Sequence, residues 1–456
     1  MTLTAPDPAP AAPAGRLGGR WLTDWRPDDP DFWTSTGRSV ARRNLWASIA
    51  VEHVGFSVWS LFSVFVLFMG PEYGVDAAGK FLLTSTATLV GAVLRVPYTF
   101  AVARFGGRNW TILSGVLLLI PTVVAAFVLQ PGTPFGVILL LAALVGLGGG
   151  NFASSMANIN TLYPEGKKGL ALGLNAGGGN IGVAVVQLVG LLIIATAGAT
   201  QPKLMLAIYI PLIVIVSIYA AVAMDNISSV RNDTGAAKLA LRDRDNAIMS
   251  FLYIGTFGSF IGYSFAFGLV LQSQFGRTPL QAAAVTFIGP LIGSLIRPVG
   301  GWLSDRIGGA VVTAWNFVAM ALCTVVCIAA SGIGSLPLYV AGFVGLFFFA
   351  GIGNGSTYKM IPAIFRRKAD LAIAAGTPAE EALMNARRIS GAAIGLISAV
   401  GALGGLLINL AFRQSFATTK SGTPAFWAFL IFYVVSVAVT YFVYVRANKS
   451  DELVTV

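Results

Sequence analysis

Two arginines lie deep inside long apolar segments of this chain, where a permanent positive charge needs an anionic partner. Arg95 precedes Arg104 by nine residues, and Arg297 precedes Arg306 by the same number. At about 1.5 Å per helical residue, each guanidinium lies about 13 Å from the basic end of its segment, near the middle of a hydrocarbon layer about 30 Å thick. A guanidinium keeps its charge, and its fork of N–H groups matches a planar oxyanion. The pair therefore predicts a clamp for a small planar oxyanion; the alternative is that carbonyls or a carboxylate hold each arginine.

One acid and one lysine are expected at similar depths. Glu52, with His53 beside it, lies nine residues past Arg43, and Lys359 lies seven residues before Arg366, or about 10 Å inside. We expect these charges to share one layer with the two arginines, and we hypothesise a contact between Glu52 and Lys359. Two interpretations stay open: the pair only neutralises itself, or Glu52 or His53 reversibly takes up a proton.

The segments that carry these residues are predicted membrane spans. Of 456 residues, 56% are apolar and 11% are charged, against about 25% charged in a typical soluble domain. A span needs about 20 mostly apolar residues, and twelve segments meet this requirement: 44–69, 80–103, 110–130, 135–163, 169–196, 204–223, 247–271, 281–304, 311–331, 337–365, 389–412 and 425–445. The predicted fold class is an all-α integral membrane protein with twelve transmembrane helices.

The distribution of Lys and Arg orients these spans. Most of the 30 basic residues fall on the side of the N-terminus, and those of the opposite side are Lys80, Lys203, Arg277, Arg413 and Lys420. The positive-inside rule therefore predicts that both termini are cytoplasmic. The net charge of +11 then reflects topology, and no nucleic-acid partner is expected.

An internal repeat divides the chain into halves. At a shift of 202, residues 89–108 align with 291–310 and Arg95 falls on Arg297; at a shift of 203, GGGNFAS (148–154) falls on GIGNGST (351–357). Two pseudo-symmetric six-helix halves follow, with a substrate site near the midplane between them. The predicted divisions are an N-terminal tail (1–43), a first half (44–223), a central cytoplasmic loop (224–246), a second half (247–445) and a C-terminal tail (446–456).

The composition argues against several other classes. One His and two Cys make a His-rich metal centre or a disulfide scaffold implausible. The tail 1–43 has no apolar core typical of a cleavable signal peptide, and its stretch 21–33 (WLTDWRPDDPDFW) is predicted to be an interfacial cap. Residues 177–182 satisfy G-x-G-x-x-G but follow no strand, so no dinucleotide site is expected. We expect no enzyme, no metal and no cofactor.

Residues 301–309 (GWLSDRIGG) resemble the G-x-L-x-D-R-x-G loop motif of the major facilitator superfamily, and 104–108 resemble its degenerate N-terminal copy. The entry TDWRPDDPDFW, the two arginine segments, and the glycine-rich runs GGGNFASSMANI (148–159), ALGLNAGGGNIG (171–182) and LISAVGALGG (396–405) further resemble the nitrate/nitrite porter (NarK-like) family. The likeness covers nearly the whole chain. It implies the major facilitator fold, transport of nitrate, nitrite or both, and an anion held by Arg95 and Arg297.

The same resemblance implies further pocket residues. Tyr253 and Phe257, one turn apart on the seventh span, and Phe152 on the fourth match the family's pocket, although an aromatic residue taken alone is more often a core residue. Asn180 either hydrogen-bonds the anion or joins helices. Small residues four apart predict close approach of helix backbones: Gly173/Gly177, Gly178/Gly182, Gly391/Gly395 and Gly401/Gly405.

The predicted function is alternating-access transport in the plasma (inner) membrane, by a monomer embedded in lipid. Nitrate/proton symport is favoured, because some exchange-type members of the family have a purely apolar first span where this chain has Glu52 and His53. The alternative is nitrate/nitrite antiport without proton coupling. A nitrate sensor that does not transport is disfavoured, because the cytoplasmic tails are short.

Overall fold

The computed structural model describes residues 20–230 and 232–446. The ends of both predicted tails, with Arg231, lie outside the described residues. Twelve helices in the described part are long and apolar enough to cross a membrane: Pro30–Phe68, Ala77–Phe105, Gly107–Val128, Phe135–Leu162, Gly166–Ala197, Lys203–Ala223, Arg244–Phe275, Pro279–Ile307, Gly309–Ile333, Leu336–Ala374, Ala379–Thr419 and Thr423–Val445. The prediction of a twelve-span helical membrane protein is confirmed.

The spans differ in how far they are enclosed by the rest of the protein. The most apolar windows of the first and seventh spans are each 94% buried, whereas that of the twelfth is 28% buried. Outer spans expose large apolar side chains such as Trp315 and Ile431, which suit a lipid environment. The first and seventh spans therefore form the centre of the molecule.

The internal repeat is visible in the backbone. The second and eighth spans both end in a turn with an arginine, Arg104 or Arg306. Gly106 and Gly308 then follow with φ of 90° and 89°, a region that residues with a Cβ rarely adopt. These equivalent turns explain why the repeat keeps glycine at both positions.

Several helices of the fold are interrupted near its centre. The first span breaks at Ser60, between Arg38–Trp59 and Leu61–Phe68. The fourth span contains a 3₁₀ segment at Gly146–Gly150, and the seventh contains a π-helical turn at Ile254–Gly258. Such irregular turns are frequent at functional sites.

The second and eleventh spans join the two halves over much of their length. Towards one end, the ring of Phe81 stacks on that of Phe412 with centroids 5.6 Å apart. One turn further, the Thr84 hydroxyl donates to the Asn409 side-chain oxygen at 2.8 Å. The arginine of the second span lies further along this same seam.

The segment before the first span packs against the ends of other spans. Trp21–Leu22 pairs in parallel with Asn226–Ile227 as a two-stranded sheet. The Trp25 indole donates to the Thr161 carbonyl at 3.1 Å, at the end of the fourth span. Residues 21–33 thus pack as a cap on that end of the helices.

The central loop contains a helix, Thr234–Arg242, and contacts both halves. The Asn232 amide donates to the Phe100 carbonyl of the second span at 3.0 Å. Asp233 accepts from Arg388 of the eleventh span at 2.6 Å, and this guanidinium lowers the pKa of the Asp233 carboxyl. The loop therefore bridges the second and eleventh spans.

Several helices extend beyond the apolar segments that predicted them. The tenth span ends at Ala374 and the eleventh begins at Ala379, whereas the apolar pattern placed these ends at residues 365 and 389. Apolar patterning marks only the part of a helix that lies in hydrocarbon, and the polar turns beyond it stay helical.

The glycine pairs behave differently from one another. A Cβ at Gly182 would collide with the His53 carbonyl, and one at Gly178 would contact Ile49, so the first and fifth spans approach closely as predicted. A Cβ at Gly173 or Gly177 would enter open space. For these two glycines the expectation of close helix packing is wrong.

Candidate functional site

The Arg95 side chain is completely buried at the centre of the fold. Its guanidinium carbon lies 4.6 Å from the ring centroid of Phe152 and 4.6 Å from that of Phe257, and 5.5 Å from that of Trp59. Contacts of this kind stabilise a buried cation by about 2 kcal/mol or more when water is excluded. The aromatic rings of the first, fourth and seventh spans therefore position this arginine.

The hydrogen bonds of Arg95 leave one edge of its guanidinium available. Nη1 donates to the Ser398 carbonyl of the eleventh span at 3.2 Å. Nε and Nη2 are buried and have no hydrogen-bond partner in the described part of the chain. These two nitrogens form the side-on fork that binds two oxygens of a planar oxyanion.

Arg297 presents a second guanidinium from the other half of the molecule. It is 6% exposed, and its Nη2 donates to the Tyr253 hydroxyl at 3.4 Å. Its guanidinium carbon lies 5.5 Å from the Tyr358 ring centroid. Nη1 is buried without a partner among residues 20–230 and 232–446. The two arginines that the internal repeat relates thus both keep buried donors free.

An aromatic wall connects the two arginines. The Tyr253 and Phe257 rings stack with centroids 5.3 Å apart and planes inclined by 11°. The Phe257 ring in turn stacks on Phe152 at 5.9 Å. The structure brings together the three aromatic residues that the resemblance assigned to the pocket.

Asn180 is fully buried on the fifth span. Neither atom of its amide has a hydrogen-bond partner within the described residues. A buried amide without a partner costs free energy, so Asn180 does not join helices by a hydrogen bond in this state and stays available to a ligand.

Glu52 is fully buried on the first span. The Ser155 hydroxyl donates to its Oε2, and the Asn175 amide donates to the same oxygen at 2.6 Å. Arg95 and Arg297 are near enough to act electrostatically on this carboxyl. The sequence reasoning placed Glu52 near both arginines but missed Ser155 and Asn175. Their only signal was that they are polar residues inside glycine-rich runs.

The His53 ring also faces the fifth span. Its Nδ1 lies 3.0 Å from the Gly178 carbonyl. That contact orients the ring against the backbone of the neighbouring helix. A proton-relay role for His53 stays a prediction.

Lys359 is not in the buried layer, contrary to expectation. Its Nζ lies 2.7 Å from Asp305 Oδ1, and both side chains are about half exposed, at 45% and 58%. A lysine stem carries its ammonium away from an apolar layer at little cost. The hypothesised contact with Glu52 is therefore wrong: Lys359 pairs with the acid of the GWLSDRIGG turn, and Glu52 pairs with Ser155 and Asn175. A gating role for Lys359 stays a prediction.

A family model described as Major Facilitator Superfamily matches residues 49–407. The chain belongs to this superfamily. Among curated relatives, it is 41% identical over 453 residues to "Nitrate/nitrite transporter NarU" of Salmonella typhimurium, covering 94% of this chain and 97% of the relative. It is 32% identical to "Probable nitrate/nitrite antiporter NarK2" of Thermus thermophilus, with the same coverage of both chains. The predicted membership of the nitrate/nitrite porter family is confirmed.

The fold also matches a solved structure. A bacterial homologue of the human lysosomal transporter Spinster, in an inward-facing and unoccupied conformation, aligns with a TM-score of 0.62 at 15% identity, covering 88% of this chain and 96% of that one. This likeness supports the major facilitator fold alone. The curated relatives are transporters, which confirms the prediction that this member of the superfamily is not an enzyme.

Proposed function

We propose that this transporter moves nitrate and nitrite across the plasma (inner) membrane by alternating access, with the anion clamped between Arg95 and Arg297. The observation that carries the proposal is the pair of buried arginines, one from each half, that keep N–H groups without partners. An anion between them satisfies these donors and neutralises charge in a low-dielectric site. The names of the relatives supply the identity of the anion.

The aromatic wall favours a flat and weakly hydrated anion. The Phe152 and Phe257 rings both contact Arg95 and give the site an apolar surface, which disfavours a strongly hydrated anion such as phosphate or sulfate. A planar anion that lies along the open edge of the guanidinium accepts two parallel hydrogen bonds. This geometry fits both nitrate and nitrite.

Proton coupling at Glu52 is the finer part of the proposal. Glu52 is buried and interacts with both arginines, and its Oε1 has no partner in the described part of the structure. Protonation removes a negative charge beside the clamp, so proton binding and anion binding strengthen each other, as linkage requires. That mutual effect is what nitrate/proton symport needs.

Exchange of nitrate for nitrite without protons is the second candidate. It is favoured by the printed name of the Thermus thermophilus relative, a probable antiporter that is 32% identical over nearly the whole chain. In this case Glu52 stays ionised throughout the cycle and serves only to balance the arginines. The clamp is the same in both candidates.

The predicted topology belongs to the same proposal. Both termini lie in the cytoplasm, and the halves 44–223 and 247–445 rock about the clamp while the loop 224–246 connects them. The contacts of the loop with the second and eleventh spans support its role as a connection between the halves. Because the clamp lies within one chain, a monomer in the lipid bilayer suffices for transport.

Counterflow in proteoliposomes tests the proposal. Vesicles loaded with nitrate or nitrite should accumulate labelled nitrate. In vesicles that contain neither anion, an imposed inward proton gradient should drive nitrate uptake. Counterflow that is absent for both anions would refute the function itself. Uptake that ignores the pH gradient while counterflow persists would support exchange and refute proton coupling.

The Glu52→Gln variant locates the coupling. Gln keeps the shape and the hydrogen bonds to Ser155 and Asn175 but cannot ionise, so pH-driven uptake should disappear while counterflow persists. The matched control is Glu72→Gln, because Glu72 is exposed in the short helix Pro71–Tyr73, outside the spans. If Glu52→Gln still concentrates nitrate in response to the pH gradient, Glu52 is not the coupling residue.

A further inference from the structure

The tenth span carries two buried polar groups that the clamp does not use. The Tyr358 hydroxyl and both amide atoms of Asn354 lack hydrogen-bond partners among the described residues. The two residues are four apart on the continuous helix Leu336–Ala374, so they share one face. Unpartnered buried groups are rare because each costs free energy.

This face of the tenth span borders the anion site. The Tyr358 ring centroid lies 5.5 Å from the Arg297 guanidinium carbon and 6.4 Å from the Tyr253 ring centroid. Tyr358 therefore lies beside the second arginine of the clamp, and Asn354 follows one turn further along the helix.

The amide at position 354 has an equivalent in the other half. The repeat aligns Asn354 with Asn151 of the fourth span, one residue before Phe152. Asn151 is 2% exposed, and neither of its amide atoms has a partner in the part of the chain that the structure describes. Both halves thus keep an unpaired amide at the equivalent depth.

The two proposed anions differ in the number of oxygens that can accept hydrogen bonds from the protein. Nitrate has three oxygens in one plane, whereas nitrite has two. In the proposed clamp, Nε and Nη2 of Arg95 donate to two oxygens, and the third oxygen of nitrate is left for donors of the second half, of which Nη1 of Arg297 is one. The hydroxyl of Tyr358, whose ring lies beside Arg297, and the amide of Asn354 one turn away are further unpaired donors of the second half.

We propose that Tyr358 and Asn354 are further anion-contacting residues that donate to the third oxygen of nitrate and thereby favour nitrate over nitrite. The inference rests on the proposed function, since it assumes that both anions enter the clamp. A site whose polar groups are built to bond a substrate oxygen discriminates against an analogue that lacks it, because the groups are then left unpaired.

The test compares Michaelis constants for nitrate and nitrite uptake in proteoliposomes. Tyr358→Phe should raise the KM for nitrate by about 10-fold, the effect of one lost hydrogen bond to a charged group. The KM for nitrite should change much less. Asn354→Leu should act in the same direction and serves as the second variant if Tyr358→Phe does not fold.

Tyr339→Phe is the matched control. Tyr339 is on the same helix, and its buried hydroxyl also lacks a partner within the described residues. It lies 19 residues away, or about 28 Å along the helix, where its ring packs against Phe275 and Phe343. This variant should transport both anions as the wild type does.

The outcomes separate this inference from the proposed function. A wild-type protein that moves neither anion would refute the function. A wild-type protein that moves nitrate, with an unchanged ratio of nitrate to nitrite KM in Tyr358→Phe and Asn354→Leu, would refute the inference alone. An equal rise in the KM for nitrate and the KM for nitrite would also overturn it, because Tyr358 would then only support Arg297. Thermal stabilisation of the purified variants by nitrate and by nitrite gives the same comparison without turnover.

Discussion

Arg95→Lys is the most direct test of the clamp, because the substitution keeps the charge and removes the fork. In the structure, Nε and Nη2 of Arg95 form an open edge while Nη1 bonds the Ser398 carbonyl. A lysine ammonium is a single point of charge that cannot present two parallel donors to a planar anion. The variant therefore loses at least one charge-assisted hydrogen bond to the anion.

The size of the loss follows from the contacts of the guanidinium. One hydrogen bond to a charged group contributes about 1.5–3 kcal/mol. The guanidinium carbon also lies 4.6 Å from the ring centroid of Phe152 and 4.6 Å from that of Phe257, and these contacts contribute about 2 kcal/mol in a desolvated site. At about 1.4 kcal/mol per tenfold, the combined loss is at least about 100-fold in kcat/KM for nitrate.

The assay is initial nitrate uptake into proteoliposomes at varied external nitrate. Arg104→Lys is the matched control, because Arg104 is in the last turn of the same helix and is exposed. This control should stay within about twofold of the wild type, as most surface substitutions do. A folded Arg95→Lys protein with wild-type kcat/KM would refute the forked clamp.

Three other variants test neighbouring features. Gly182→Val should lower the yield of folded protein on size-exclusion chromatography, because its side chain meets the backbone of the first span and overpacking costs about 1–3 kcal/mol. Gly173→Val, on the same helix with open space around it, should behave as the wild type; equal yields of the two variants would contradict the packing argument. Phe257→Leu should reduce kcat/KM for nitrate by about 10-fold or more, through the lost ring contact with the clamp, and an unchanged value would remove the aromatic wall from the site. At pH values above about 4, Asp233→Asn should lower the melting temperature slightly. The neighbouring guanidinium lowers the pKa of the Asp233 carboxyl, so the ion pair of the wild type is lost only as the pH falls through that lowered pKa. A difference from the wild type that grows at lower pH would contradict this sign.

The sequence predicted the fold because its signals are local to each segment. An apolar stretch of about 20 residues identifies a span wherever it lies in the chain. The repeat added the relation between halves, and the matching turns at Gly106 and Gly308 have the same backbone geometry. Arg95 and Arg297 could be recognised for the same reason, since a charge that cannot be neutralised is conspicuous in an apolar stretch.

The hydrogen-bond partners of Glu52 could not be predicted from signals local to one segment. Ser155 and Asn175 lie on the fourth and fifth spans, 103 and 123 residues away, and small polar residues occur on most spans without contacting an acid. Which faces meet depends on how three helices rotate against one another. Close packing at Gly178 and Gly182 sets that rotation here, and it could be seen only in the structure.

Lys359 shows where counting along a helix fails. Counting residues along a helix locates the Cα and not the charge. The flexible side chain of Lys359 carries its ammonium to the half-exposed Asp305 carboxylate, a displacement equal to the rise of several residues. An arginine enclosed by rings, such as Arg95, has no such freedom.

The pairing of Lys359 with Asp305 outside the buried layer has a consequence for membrane voltage. Among the residues that the structure describes, Arg95, Arg297 and Glu52 are the charged groups left in the layer. The empty clamp therefore carries one net positive charge when Glu52 is ionised, and one nitrate makes it neutral. In anion exchange, the loaded transporter then changes conformation without moving net charge across the membrane. In one-to-one symport, protonated Glu52 restores the positive charge, so the loaded and empty carriers move equal charge in opposite directions. The free energy of each conformational change then varies with membrane voltage by up to about 2.3 kcal/mol per 100 mV. Transient currents from proteoliposomes on a solid-supported membrane would reveal which charge the clamp carries.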